Sequence, residues 1–262
     1  MDADPPELRI DTAGPTASED PFRHLPHLRD RIVTPEESYF RNLDNRRFEE
    51  LAKTRGYPKG WRRPEAEREA TRAEALAGRS GGDVWVFAYG SLMWDPAITF
   101  AEVRIGEVKG YQRRFCFRTE VGRGSPDNPG LMAGLEVGGS CAGLAFRIAH
   151  ALVERETERL WRREMASWSY RPIWIDVATP QGPVEALTFL VNPASPNYFA
   201  HMDEDDSARL IASGTGHLGT CFAYLDNLAD RLRALGLKDD AIFRLHAKAH
   251  ALANGGGEGI AE

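Results

Sequence analysis

The chain has 262 residues, of which 42% are hydrophobic and 27% charged, a composition that can bury one substantial core. Its net charge of -6 argues against a nucleic-acid-binding surface, which needs clustered basic residues. The longest apolar runs are too short to cross a bilayer, and the first residues are acidic rather than signal-like. We therefore expect a soluble, cytoplasmic protein.

The first 81 residues are expected to form an appendage to the core. Residues 1–32 are rich in Pro, Asp and His without apolar periodicity, which is typical of an extended or disordered leader. A helical N-terminal extension over 33–81 follows. Its first helix is expected to begin with a capping box of Thr34 and Glu37 and to stop at Gly56, and its second covers 64–76.

Strand patterns dominate the next hundred residues, which are rich in β-branched and aromatic side chains. The predicted strands are 84–89, 113–118, 130–137, 142–148, 173–179 and 184–191. Their short spacing predicts a barrel-like or strongly bent mixed sheet, interrupted by a helix over 151–165. Two further helices, near 218–235 and 239–253, complete an α+β pattern.

One carboxylate is unusual within the predicted helix 151–165. Val153, Thr157, Leu160 and Trp161 form an apolar stripe, and the next position on that stripe is Glu164. A buried glutamate has a raised pKa, so it is either paired with a cation or used in chemistry. From the helical pattern alone, a boundary residue paired with a neighbouring arginine is the favoured interpretation.

The apolar strand 84–89 ends abruptly at Tyr89, Gly90 and Ser91. This is either an ordinary turn or a backbone cradle whose N–H groups hold a carboxylate or an oxyanion. The loop 122–130, GRGSPDNPG, is likewise either a lid or a plain connector.

Metal-binding patterns are weak in this sequence. Cys116, Cys141 and Cys221 are far apart and are expected to be buried thiols. His246 and His250 share a helical spacing, but no third ligand stands nearby in the sequence, so a solvated helix face is the favoured interpretation.

Four longer motifs follow one another along the chain: VWVFAYGSLMWDPAI, GYQRRFCFRTEVGRGSPDNPGLMAGLEVGGSCAGLAFRI, LWRREMASWSYRPIW and SGTGHLGTCFAYL. Together they resemble the ChaC-type gamma-glutamylcyclotransferases, especially the bacterial branch, over about residues 82–247. The resemblance implies a gamma-glutamylcyclotransferase-like fold, a small mixed β-barrel flanked by helices. It would form a catalytic domain over 82–253, followed by a flexible tail over 254–262.

The resemblance also implies a lyase-type activity: cleavage of glutathione to 5-oxoproline and cysteinylglycine, without a metal or cofactor. It assigns the catalytic role to Glu164, as general base and then acid. It assigns substrate binding to the strand and loop formed by Val86, Phe87, Ala88, Tyr89, Gly90 and Ser91. Tyr170 is expected to line the pocket or to pack in the barrel wall, and Arg118 could meet a substrate carboxylate.

Two alternatives remain open from the sequence. The enzyme could act on other γ-glutamyl peptides or amines, because loops read the leaving group. The chain could instead be a non-catalytic binding module of the same fold, although the presence of Glu164 argues against this. We expect a small-molecule substrate and neither nucleic acid nor membrane as partner, and the oligomeric state is left open.

Overall fold

A bent, mixed five-stranded sheet forms the centre of the fold. The computed structural model describes residues 20–41, 45–57, 59–79 and 81–255. The strands run in the order β2-β3-β1-β5-β4 across the sheet. In chain order they are β1 (Val84–Ala88), β2 (Glu102–Thr119), β3 (Gly130–Ile148), β4 (Tyr170–Val177) and β5 (Val184–Val191).

In the described chain, two α-helices precede the strands, one lies between β3 and β4, and three follow β5. They are α1 (Asn45–Arg55), α2 (Glu65–Leu76), α3 (Val153–Glu164), α4 (Glu204–Ser213), α5 (Cys221–Ala234) and α6 (Asp240–Gly255). A small hairpin of β6 (Thr215–Gly216) and β7 (Gly219–Thr220) precedes α5. The predicted α+β class is confirmed.

The sheet curls so that its two edges meet. Strand β1 pairs antiparallel with β3 and parallel with β5, which makes the sheet mixed. Glu107 of β2 and Ala178, just after β4, exchange two backbone hydrogen bonds of 2.9 Å. This bridge joins the two outer strands and explains the barrel-like curvature predicted from the short strand spacing.

Two of the strands are much longer than predicted. The segment 113–118 is only part of β2, which has 18 residues. The segments 130–137 and 142–148 belong to one continuous strand, β3, of 19 residues. Strand β2 stays paired with β3 through register shifts near Tyr111 and Phe117, so the irregular positions that resemble strand ends are bulges.

The helix predictions are confirmed for α2, α3, α5 and α6, within a few residues at their ends. Helix α1 begins at Asn45, so the prediction of a helix from Thr34 is wrong. Thr34 Oγ1 does bond Glu37 Oε2 at 2.9 Å, but only a turn follows. Arg41 forms an ion pair of 2.9 Å with the buried carboxylate of Glu156, a long-range contact that favours a turn here over a continuous helix.

The extended or disordered leader predicted for residues 1–32 is wrong from residue 20 onwards. A 3-10 helix spans Pro26–Arg31, and Leu25, Leu28 and Ile32 are buried in the main core. Arg23 also forms an ion pair with the buried carboxylate of Glu102. Residues 1–19 lie outside the described residues. At the other end, α6 extends to Gly255, and 256–262 of the predicted tail lie outside the described residues as well.

Side chains of β1 alternate between two apolar clusters, as the strand pattern predicts. Val84, Val86 and Ala88 belong to the larger one, while Phe87 and Tyr89 belong to the other. The three cysteines are buried free thiols, as predicted. Among the described residues, no helix combines the length and apolar character needed to cross a membrane.

Candidate active site

Glu164 is the last residue of α3, and its carboxyl group lies in a cavity. Its side chain is 15% exposed, and burial raises its pKa above the ordinary value of a glutamate. Arg163 opposes this shift, with its Nε 3.0 Å from Glu164 Oε1, whereas the negative charge of Asp95 raises the pKa further. The C-terminal end of a helix also disfavours an anion. Such a carboxyl group is a stronger base than an exposed glutamate and can both accept a proton and return it.

Arg163 connects the end of α3 to the loop after β1. Its Nη2 donates to Ser91 Oγ at 2.9 Å, and its Nη1 donates to the carbonyl oxygen of Asp95. The ring of Phe40 covers the guanidinium, with its centroid 4.0 Å from the Arg163 Cζ atom. Because the Arg163 side chain is only 6% exposed, these contacts hold Glu164 and Ser91 in a fixed relation.

Three tyrosines lie near the carboxylate: Tyr89 and Tyr224 are buried, and Tyr170 is half-buried. Tyr89 donates its hydroxyl to the carbonyl of Phe189 at 2.7 Å, and Tyr170 donates to the carbonyl of Ala133 at 3.0 Å. Burial raises the pKa of Tyr89, Tyr170 and Tyr224, and the negative charge of Glu164 adds to the shift in each case. All three therefore remain neutral phenols at any physiological pH.

Gly90 gives Tyr224 the space that it occupies. A Cβ atom at Gly90 would lie 2.8 Å from the Tyr224 hydroxyl oxygen, closer than carbon and oxygen can normally approach. The rings of Trp94 and Phe115 pack against Tyr224, with centroids 5.4 and 5.8 Å away. The glycine at this turn therefore serves the packing of Tyr224 against the loop.

These groups meet in a cavity of about 510 Å³, a volume typical of small-molecule sites. Ser91, Glu164, Tyr170 and Tyr224 form part of its wall. The remaining lining comes from Phe40, 59–61, 117–123, Met132, Arg163, 166–169, 195–197 and Leu218.

The structure brings some of the predicted site residues together and leaves others in the core. Ser91 and Tyr170 line the cavity beside Glu164. Tyr170 is also the first residue of β4, so it belongs both to the pocket and to the barrel wall. The side chains of Val86, Phe87 and Ala88 are buried in the apolar clusters of the sheet. Their part in substrate binding, like that of the Tyr89 and Gly90 backbone, stays a prediction.

Two further predicted features also lie at the cavity. Arg118 lines it and forms an ion pair of 3.1 Å with Glu120. The loop 122–130 is held by backbone bonds to the β6–β7 region: the Leu218 N–H donates to the Gly122 carbonyl at 2.9 Å, and the Thr215 N–H donates to the Asn128 carbonyl at 3.2 Å. These bonds favour a fixed connector over a lid.

Sequence reasoning missed Arg113, which supports the loop from behind. Its Nε donates to the Tyr89 carbonyl at 2.6 Å, and its Nη1 forms an ion pair of 2.8 Å with Asp239. Nothing in the local pattern of RRFCFR separates this arginine from its neighbours. Tyr224 was also missed, although it follows Cys221 and precedes Leu228 at helical spacing on the buried face of α5.

Comparison with known proteins gives consistent results. The family model described as ChaC-like protein matches residues 84–252. A glutathione-specific gamma-glutamylcyclotransferase of Escherichia coli (strain K12) is 40% identical over 178 residues, which cover 67% of this chain and 77% of the relative. A protein of Schizosaccharomyces pombe with the same name is 31% identical over 187 residues, covering 64% of this chain and 92% of the relative.

The fold also matches a solved structure. The crystal structure of a glutathione-specific gamma-glutamyl cyclotransferase from yeast superposes with a TM-score of 0.62 at 18% identity, covering 67% of this chain and 99% of that one. This likeness confirms the gamma-glutamylcyclotransferase-like fold. The family match begins at residue 84, so α1, α2 and the segments around them precede it.

Proposed function

This chain belongs to the ChaC family, and on that premise we propose that it is a gamma-glutamylcyclotransferase that cleaves glutathione into 5-oxoproline and cysteinylglycine. One observation carries the proposal. Glu164, a largely buried carboxyl group of raised pKa, lies in a cavity of small-molecule size beside Ser91 and Tyr170. Its surroundings fit a residue that transfers protons better than one that stabilises the fold.

The reaction is an internal displacement. The α-amine nitrogen of the γ-glutamyl group attacks the γ-carbonyl carbon, and the new C–N bond closes the lactam ring. The bond from that carbon to the cysteine nitrogen then breaks. The attacking nitrogen loses a proton and the departing nitrogen gains one, so the atoms balance without water.

Glu164 supplies both proton transfers. Its ionised form accepts the proton from the attacking amine, and the acid so formed protonates the leaving nitrogen. Burial makes this carboxylate a stronger base than an exposed glutamate, and Arg163 keeps it oriented through the bond to Oε1. Because nucleophile and carbonyl belong to one ligand, the site has mainly to fold the substrate into its ring-closing shape.

The glutamyl end of the substrate lies against the loop after β1. We assign the α-carboxylate and the developing oxyanion to the backbone of Tyr89, Gly90 and Ser91, which Arg113 and Arg163 hold in place. Tyr170 and Tyr224 provide a neutral wall that does not compete with Glu164 for the proton. The reaction needs no metal or cofactor, and the proposed location is the cytoplasm.

The test is to incubate the purified chain with glutathione and with a panel of other γ-glutamyl peptides and amines, and to measure 5-oxoproline. Formation of 5-oxoproline and cysteinylglycine from glutathione is expected. Product from the other donors alone would contradict glutathione as the substrate. No product from any donor would favour the non-catalytic binding module.

A further inference from the structure

Residues 59–61 precede the family match but form one wall of the Glu164 cavity. Lys59, Gly60 and Trp61 line it together with Glu164 and Ser91. Gly60 has a φ of +73°, a left-handed conformation that glycine adopts readily. The N-terminal extension is therefore part of the site.

Contacts at both ends hold this wall against the catalytic domain. At its start, the Tyr57 hydroxyl lies 2.5 Å from Nδ1 of His217, in the turn between β6 and β7. At its end, the N–H of Arg63 donates to the carbonyl of Ala166 at 2.9 Å, and its guanidinium lies 4.6 Å from the centroid of the Trp168 ring. These anchors lie on the two chain segments that border the cavity, just after α3 and just before α5.

The positively charged side chains that line the cavity differ in whether they already have a partner within the protein. Arg163 is committed to Glu164, Ser91 and Asp95, and Arg118 is paired with Glu120. Arg123 donates to the carbonyl of Thr220 at 3.2 Å. Lys59 makes no hydrogen bond or ion pair within the part of the chain that the structure describes, so its ammonium group is available to a ligand.

The proposed substrate carries two carboxylates. Its glutamyl α-carboxylate is assigned to the loop at Ser91, because the α-amine on the same carbon has to reach Glu164. The carboxylate of its terminal glycine lies at the other end, on the group that leaves. An exposed ammonium on the cavity wall complements an anion there, and a charge-assisted bond would fix the extended end of the substrate.

Resting on the proposed function, we infer that Lys59 recognises the terminal carboxylate of the leaving dipeptide, and that the N-terminal extension thereby sets the preference for glutathione. The interaction is remote from the reacting atoms and is equally strong before and during the reaction. Its loss therefore raises KM and leaves kcat nearly unchanged.

The test compares Lys59→Met with the wild-type chain on two substrates: glutathione, and glutathione with its glycine carboxylate converted to a carboxamide. Lys53→Met is the matched control, because Lys53 is an exposed lysine of α1 that does not line the cavity. We expect Lys59→Met to raise KM for glutathione about threefold to tenfold, and to leave KM for the amide unchanged. Lys53→Met should change neither value.

Two results would overturn the inference. One is an unchanged KM for glutathione in Lys59→Met, and the other is an equal rise in KM for both substrates, which would indicate a general change in the wall. Thermal unfolding of each variant shows whether the fold is intact. A wild-type chain that forms no 5-oxoproline from glutathione would instead contradict the proposed function itself.

Discussion

Replacing Gly90 by alanine tests the packing that holds the loop after β1. The new Cβ would lie 2.8 Å from the Tyr224 hydroxyl oxygen, about 0.6 Å short of ordinary contact. Tyr224 cannot easily retreat, because Trp94 and Phe115 pack against its ring. We expect a loss of about 1–3 kcal/mol in the free energy of unfolding. Because Ser91 is the next residue, kcat/KM should also fall, by up to about 100-fold.

A double-variant cycle identifies the cause. Tyr224→Phe removes the oxygen that clashes, so the pair Gly90→Ala and Tyr224→Phe should recover at least half of the stability lost in Gly90→Ala alone. Urea unfolding of the four chains measures this coupling, with Gly82→Ala as control, since a Cβ there has open space around it. If the double variant loses as much free energy of unfolding as the two single variants together, the steric explanation is refuted.

Other expected outcomes follow from the same contacts. Activity should decline as pH falls through the pKa of Glu164; Asp95→Asn removes a charge that raises this pKa, so the acid limb of the kcat/KM profile should move to lower pH. Tyr57→Phe should lower the free energy of unfolding by about 1 kcal/mol in urea titrations, because the bond to His217 is lost. Glu164→Gln should be more stable than the wild-type chain at neutral pH, on the order of 1 kcal/mol by thermal unfolding. The pKa of Glu164 is higher in the folded chain than in the unfolded chain. The wild-type protein therefore loses stability as pH rises from the unfolded-state pKa to the folded-state pKa of this residue, and glutamine avoids that loss. An acid limb that does not move would contradict the effect of Asp95 on Glu164. Unchanged stability of Tyr57→Phe would contradict the bond to His217, and a Glu164→Gln chain less stable than the wild type at neutral pH would contradict the raised pKa of Glu164.

The parts of the fold that depend on local pattern could be predicted from the sequence. The alternation of side chains along β1 and the apolar stripe of α3 set the elements that carry Ser91 and Glu164. The stripe also indicated that Glu164 lies on the buried side. It could not decide between a structural ion pair and a site, and Glu164 in fact has both an arginine partner and a place in the cavity.

The parts that depend on distant contacts could not be predicted. Arg41 pairs with Glu156, 115 positions later in the chain, and a capping box carries no information about that ion pair. The contact of Gly90 with Tyr224 and the bond of Tyr57 to His217 likewise join segments that only the folded chain brings together. The sequence therefore predicted where Glu164 and the loop after β1 lie, but not that residues 59–61 would line the same cavity.

The most direct test of the central claim is the kcat of Glu164→Gln for 5-oxoproline formation from glutathione. Glutamine keeps the size of the side chain and an oxygen for Arg163, but it can neither accept nor return the proton. Glu158→Gln is the matched control, because Glu158 lies on the same helix and is 46% exposed, paired with Arg162. We expect kcat to fall by about 10²–10⁴-fold in Glu164→Gln and to stay near the wild-type value in Glu158→Gln. Near-native turnover by a folded Glu164→Gln chain would contradict this role of Glu164.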